Sequence, residues 1–259
     1  MIDYNQILND LTTWTAAEMK NAGGSKAVLG ISGGKDSSVT AALMVRVLGA
    51  DNVIGVMMPD KVQADIDDSQ AIIRHLGISA FTADIGGVTN SYFQLLEDLI
   101  PDQISRQTRL NLPPRVRMTL LYAISQSIPQ SLVINTSNIS EDWVGYATIY
   151  GDTAGAFSPL GMLTTEDVIE IGRLMGIPDR FLVKPPSDGL TGKTDEAVLG
   201  VTYSTINRYI RTGEVTPEAK EIIDRLHRQS RFKFLPIPMF DPTLPIVAKD
   251  LANVYNQDK

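Results

Sequence analysis

Ser32, Gly33, Gly34, Lys35, Asp36, Ser37 and Ser38 form one uninterrupted stretch between an apolar run, VLGI, and an apolar-periodic segment. Hydroxyls, glycines and a helix start in that order suit phosphate oxygens. The glycines let the backbone approach a ligand and take positive φ. The first turn of a helix offers unpaired N–H groups at the positive end of its dipole. A tight strand–helix turn without a ligand would use the same glycines; Ser32, Asp36 and Ser37 around them favour the ligand. This is not a Walker A loop, in which Gly and four residues precede Gly-Lys-Ser/Thr. Leu29 stands where the first Gly belongs, and Asp36 follows the lysine. Nor is it a G-x-G-x-x-G fingerprint. An acid beside phosphates is unfavourable unless a cation lies between them, so Asp36 points to Mg²⁺ held by hard oxygens.

Other residues carry weaker chemical signals. Glu141, in Ser-Glu-Asp, lies just past the fourth apolar strand, at the sheet edge that also receives Asp36. Two carboxylates there can bracket one ion, although an acid at a helix start has the same appearance. Arg115 carries a guanidinium suited to a pyrophosphate or carboxylate, or is a solvated helix arginine. Trp143 and Tyr146 suit stacking on a base or burial in a core. His75 and His227 read as surface helix residues with no nucleophile or metal to pair with.

The elements that must position these groups alternate along the chain. Residues 3–20 have helical spacing (Ile7, Leu8, Leu11, Trp14) and end at Gly23-Gly24. Strands are predicted at 27–31, 52–58, 78–85 and 131–135, and helices at 36–48, 67–77 and 88–99. Pro113-Pro114 would open a helix running to about Ser127, because proline is tolerated in a first turn. This alternation predicts an α/β fold, a parallel sheet of about five strands with helices on both faces. After Asn135 the character changes. Residues 136–165 are rich in Gly, Thr, Ser and Asp, and a helix is expected at 166–176. A long loop at 184–200 and two helices near 202–212 and 217–229 complete a helical C-terminal extension on one domain spanning 1–259. Loops of that length are usually functional or mobile.

Bulk properties narrow the partners. The chain has 259 residues, 43% hydrophobic and 20% charged, with a net charge of −7. An acidic balance disfavours nucleic acid or an anionic membrane as partner. There is no cysteine, so disulfides, thiolate metal sites and cysteine nucleophiles are excluded. The N-terminus MIDYNQILND does not read as a signal peptide, and no apolar run approaches the ~20 residues that span a bilayer. The expectation is a soluble, cytoplasmic protein.

The S-G-G-x-D-S stretch resembles the pyrophosphatase loop of the N-type ATP pyrophosphatases. Later segments are similar to one family among them, the ammonia-dependent NAD synthetases: MMP (57–59), NLPPRVRM (111–118), NTSNISE (135–141), GYATIYGD (145–152), KPPSDGL (184–190) and KTDEAVLGVTY (193–203). The resemblance implies an adenine nucleotide alpha hydrolase-like, Rossmann-like fold. It implies that Ser32, Gly33, Gly34, Lys35, Asp36, Ser37 and Ser38 hold the ATP phosphates, joined by Thr136 and Ser187. Asp36 and Glu141 would ligate Mg²⁺, and Arg115 and Lys233 would contact the dinucleotide substrate. The implied enzyme is a carbon–nitrogen ligase. The carboxylate of deamido-NAD attacks the ATP α-phosphate and releases pyrophosphate, and ammonia then displaces AMP to give NAD. The family also implies a homodimer, with the N-terminal helix and the 114–127 helix as candidate contacts.

Departures from that pattern bear on the acyl substrate at Ile149 and Ala156 and on ATP at Thr165. Ile149 stands where many members have a basic residue, Ala156 replaces an aspartate, Thr165 replaces a lysine, and Phe232 replaces a histidine beside Lys233. Lys184 and Lys193 are other basic candidates. Glutamine-dependent relatives carry a further domain with a cysteine nucleophile. A chain without cysteine is therefore expected to use free ammonia, or ammonia received from another protein, with no glutaminase domain. Two alternatives stand beside this reading: a ligase adenylating a different carboxylate, and a non-catalytic nucleotide-binding paralogue.

Overall fold

The computed structural model describes residues 2–61, 66–183 and 195–248. Four strands form one sheet among the described residues: β1 (Lys26–Gly30), β2 (Val53–Met57), β3 (Ser79–Thr82) and β4 (Ser131–Val133), ordered β3-β2-β1-β4 and all parallel. The expected count of about five exceeds this by one. Beyond β4 the chain enters irregular backbone and then helices. Val28 of β1 is level with Ile54 of β2 and Val133 of β4. The central strands are apolar on both faces, as helix-covered parallel strands must be; all five residues of β2 are buried. At the sheet edge, all four residues of β3 are exposed.

Alternation along β1 sorts the core into two layers. Ala27, Leu29 and Ile31 face one layer, built with α1 (Tyr4–Asn21), α2 (Lys35–Leu48), α3 (Ile66–Leu76), α7 (Thr165–Leu174) and α8 (Asp179–Leu182). Val28, Ile54, Val56 and Val133 face the other, with Ile85 before α4 (Gly86–Leu99) and Val116, Met118 and Leu121 of α5 (Arg106–Gln126). A third apolar cluster joins the segment after α6 (Ile139–Trp143) to α10 (Tyr203–Thr212) and α11 (Pro217–Ser230) through Val144, Ile206 and Ile223; the short α9 (Asp195–Leu199) precedes α10. Each fully buried Leu, Ile or Phe in these layers is worth about 1.5–3 kcal/mol. Gly172 lets α7 pack closely, since a Cβ there would lie 2.5 Å from Leu182 and 2.9 Å from Val39.

The 114–127 helix begins earlier than expected. Ser105 caps α5 by accepting from the Thr108 N–H at 3.1 Å, which leaves Pro113 and Pro114 inside the helix. Proline removes a donor there, and burial of Pro113, Val116 and Met118 against the sheet holds the helix together. Among the described residues no helix is long and apolar enough to cross a membrane.

Candidate functional site

The strand order reverses direction at β1. The chain moves outward from β1 to β2 and β3, then returns to place β4 on the other side. Open α/β sheets bind ligands beyond the carboxyl ends of strands at such a switch point. The Ser-Gly-Gly loop leaves β1 there, and the residues after β4 arrive beside it.

Gly33 adopts φ 81°, and an added Cβ would meet the Ser69 backbone nitrogen at 2.8 Å. The loop is braced from within. The Ser32 and Ser37 hydroxyls lie 3.1 Å apart, the Gly34 N–H donates to Ser32 Oγ at 3.3 Å, and Ser38 Oγ donates to the Gly34 carbonyl at 2.7 Å. Ser38 is fully buried, so its hydroxyl shapes the loop from behind. Gly34 is the N-cap of α2 and has no side chain to satisfy the first-turn N–H groups. Those groups remain available to an anion.

Lys35, Asp36 and Glu141 converge beside this loop. Lys35 Nζ lies 2.8 Å from Asp36 Oδ2 and 3.6 Å from Glu141 Oε1, and the three side chains are 12%, 17% and 21% exposed. Asn138 links the Asp36 carboxylate to the backbone of α6. Its Nδ2 donates to Asp36 Oδ1 at 3.1 Å, while its Oδ1 accepts from the Ser140 and Glu141 N–H groups as the cap of α6. Burial, and then the Asp36 charge, raise the Glu141 pKa, with Lys35 opposing. Burial works against the Lys35 ammonium, but Asp36 and Glu141 together outweigh it and its pKa rises.

Behind the carboxylates a buried polar triangle fixes α6. Ser140 Oγ donates to Asn207 Oδ1 at 2.6 Å, Asn207 Nδ2 donates to Thr165 Oγ1 at 2.9 Å, and the Thr165 N–H donates to Ser140 Oγ at 3.1 Å. Thr165, one of the departures, is therefore a structural tie between α6, α7 and α10. Asn138 and Asn207 were not singled out from sequence. Asn138 had a signal, because Asn followed three residues later by Glu marks a helix start. Asn207 had none, since its partners lie 67 and 42 residues away.

The other expected site residues are dispersed. Thr136 lies in the β4–α6 loop, partly buried. Arg115 is exposed on α5, and its Nε donates to the Ile149 carbonyl at 3.2 Å. Lys233 Nζ donates to the Gly145 and Ala147 carbonyls at 2.9 and 2.8 Å, and so pins the loop after α6. Ala156 joins the sheet edge through its N–H to the Val133 carbonyl at 2.8 Å, and Phe232 is exposed. Ser187, Lys184 and Lys193 lie outside the described residues. Trp143 takes the core alternative: it stacks on His227 with ring centroids 4.2 Å apart. His227 is thereby partly buried, and its Nδ1 lies 2.9 Å from the Trp143 carbonyl, which corrects its reading as a surface residue. The ring packs inward because Trp143 joins the α10–α11 cluster.

Among the described residues no group of three or more His, Cys, Asp or Glu could hold a metal ion. Asp36 and Glu141 nevertheless fit Mg²⁺, which takes one or two carboxylates and completes its shell with phosphate oxygens and water.

A parallel α/β sheet with a Ser-Gly-Gly turn and an acid pair at its switch point is the framework of a nucleotide-phosphate-binding protein. The comparisons with known proteins make the family specific. The NAD synthase family model matches residues 7–233. An NH(3)-dependent NAD(+) synthetase of Methanosarcina acetivorans is 36% identical over 226 residues, which cover 86% of this chain and 87% of the relative. Among solved structures, an NMN synthetase from Francisella tularensis superposes with a TM-score of 0.86 at 29% identity, covering 93% of this chain and all of that one. An NH3-dependent NAD synthetase from Campylobacter jejuni superposes with a TM-score of 0.75 at 26% identity and the same coverage. The chain belongs to the NAD synthase family.

Proposed function

We propose that this chain converts deamido-NAD to NAD with ATP and ammonia, and that Asp36, Glu141 and the Ser32–Ser38 loop hold the ATP phosphates and Mg²⁺. The observation that carries the reading is the acid pair assembled from two strand ends beside the Ser-Gly-Gly turn. Loop N–H groups and the α2 terminus hold the triphosphate so that the α-phosphate faces the substrate carboxylate. Carboxylate oxygen attacks phosphorus, the α–β bridge oxygen leaves with pyrophosphate, and the mixed anhydride with AMP forms. Ammonia attacks its carbonyl carbon, AMP departs, and the surplus proton passes to solvent. Bound Mg²⁺ would neutralise the phosphate charge that develops as pyrophosphate leaves. The protein contributes preorganised donors and positioning, with no covalent nucleophile.

Arg115 is assigned to the substrate side, where its exposed guanidinium lies beside the Ile149 backbone. Thr136 and Ser187 are assigned to ATP, and Lys233 to the substrate-side loop it pins. Residues 1–259 are taken as one catalytic unit acting in the cytoplasm. A homodimer is proposed as well. Val88, Tyr92, Leu95 and Leu99 are exposed at helical spacing along α4, and Tyr122 of α5 is exposed. α1, the other contact expected from sequence, is partly used internally: Trp14 packs edge-on against Phe157 with centroids 5.7 Å apart.

The decisive experiment measures pyrophosphate and NAD from Mg-ATP, with and without deamido-NAD and ammonium. Both products rising together and only with all substrates is the expected result. Absence of substrate-stimulated pyrophosphate would overturn the reading. A second reading, amidation of nicotinic acid mononucleotide, is favoured by the higher TM-score with the NMN synthetase. The changed Ile149 and Ala156 positions are compatible with it. The same assay with the mononucleotide separates the two by their kcat/KM ratio.

A further inference from the structure

Lys35 sits at the x position of S-G-G-x-D-S, and its ammonium pairs with both Asp36 and Glu141. Two carboxylates this close and this poorly exposed repel one another unless a cation lies between them. In this structure the cation belongs to the protein. A Mg²⁺ ion bonded to both carboxylates at about 2.0–2.1 Å would need the space that the ammonium fills. The two positive groups compete for one place.

We propose that the Lys35 ammonium is a resident stand-in for the divalent cation: it neutralises Asp36 and Glu141 in the nucleotide-free protein and must leave before the metal binds. The inference rests on the assignment of Asp36 and Glu141 as metal ligands. Lys35 is the first residue of α2, next to Gly34, so its flexible four-carbon stem can turn from the carboxylates to the phosphates without moving the helix. Asn138 does not need to move either, because it holds Asp36 through the other carboxylate oxygen, Oδ1, while Lys35 uses Oδ2. The consequence is coupling. Free metal has to displace an ion pair, whereas metal arriving with ATP brings phosphate oxygens that receive the displaced lysine. Nucleotide and metal therefore bind together more tightly than either alone.

The test uses Mn²⁺ as probe, with free Mn²⁺ read by electron paramagnetic resonance on the nucleotide-free protein. Lys35→Met keeps an unbranched side chain, one atom shorter, and removes its charge. It is expected to tighten Mn²⁺ binding at least ~10-fold, equivalent to about 1.4 kcal/mol. Unchanged or weaker binding by a folded Lys35→Met protein would overturn the stand-in role alone. Asp36→Asn is expected to abolish the binding. If it leaves Mn²⁺ affinity at the wild-type value, the metal assignment falls and takes the proposal with it. A measurement on the wild-type chain needs no folded variant: the ¹⁵Nζ resonance of Lys35 is expected to move in step with Mg²⁺ occupancy. A resonance that stays fixed while the site saturates would overturn the proposal.

Discussion

Gly33→Ala and Gly34→Ala are neighbouring substitutions of identical chemistry, and the structure separates them sharply. Gly33 has φ 81°, a conformation that costs an L-residue about 1–2 kcal/mol. Its added methyl would lie 2.8 Å from the Ser69 backbone nitrogen and 3.0 Å from Asp68 Cβ. Backbone cannot yield as a flexible side chain does, and overpacking of this kind costs about 1–3 kcal/mol. Together the two effects give about 2–5 kcal/mol of destabilisation. Gly34 has φ −88°, and its added methyl would meet only Ser32 Oγ at 3.4 Å. Alanine there is expected to stay within about 1 kcal/mol of the parent. Equilibrium urea unfolding of both variants, followed by circular dichroism, provides the comparison. Equal stabilities for the pair, or a Gly34 variant worse than the Gly33 variant, would refute the reasoning, since composition and unfolded-state entropy are the same in both.

Glu141→Gln keeps the shape of the side chain and removes its charge; pyrophosphate release under saturating substrates should fall by about 10²–10³, with thermal stability retained. Asn138→Ala removes the donor to Asp36 Oδ1 and the cap of α6; urea unfolding should show a loss of about 1–3 kcal/mol, accompanied by lower kcat. Asp167 accepts from Arg211, Tyr4 and Thr164 and closes the capping box of α7. Although burial opposes it, these donors hold its carboxyl below the ordinary range. A depressed folded pKa gives stability that is present above the unfolded value, ~3.9, and is lost as pH falls through the folded one. Asp167→Asn should therefore cost about 2–3 kcal/mol at pH 7 and progressively less below pH ~4; a pH-independent difference between the two proteins would contradict this.

The elements that were legible are those whose pattern is local. Helical spacing from Ile7 to Trp14 marked α1, and the apolar runs at 27–31 and 52–58 marked the buried central strands. The edge strand was overestimated, from 78–85 to Ser79–Thr82, because apolar residues flank a segment that is itself exposed. The start of α5 was hidden. Arg106–Leu112 carries no clear apolar period, and Pro113 looked like a first turn. The loop at 32–38 was readable because its residues are contiguous and its partners lie nearby. The irregular stretch after β4 was not. Asn135 organises it by donating to the Asp152 and Ala154 carbonyls and accepting from Ser137 and Ser158, a set of bonds with no periodic trace.

The bond from Asn138 to Asp36 crosses 102 residues of chain. That separation also imposes an order in time. β1, β2 and β3 are complete by Thr82, so a growing polypeptide has the means to pair them while α6 is still unsynthesised. Such a nascent sheet would display the Ser-Gly-Gly turn but hold one acid where the finished molecule holds two. The second acid arrives only when Ser131–Val133 docks along β1, a non-local step of the kind that slows folding. If the two acids hold the metal as proposed, phosphate chemistry waits until the sheet closes on its fourth strand.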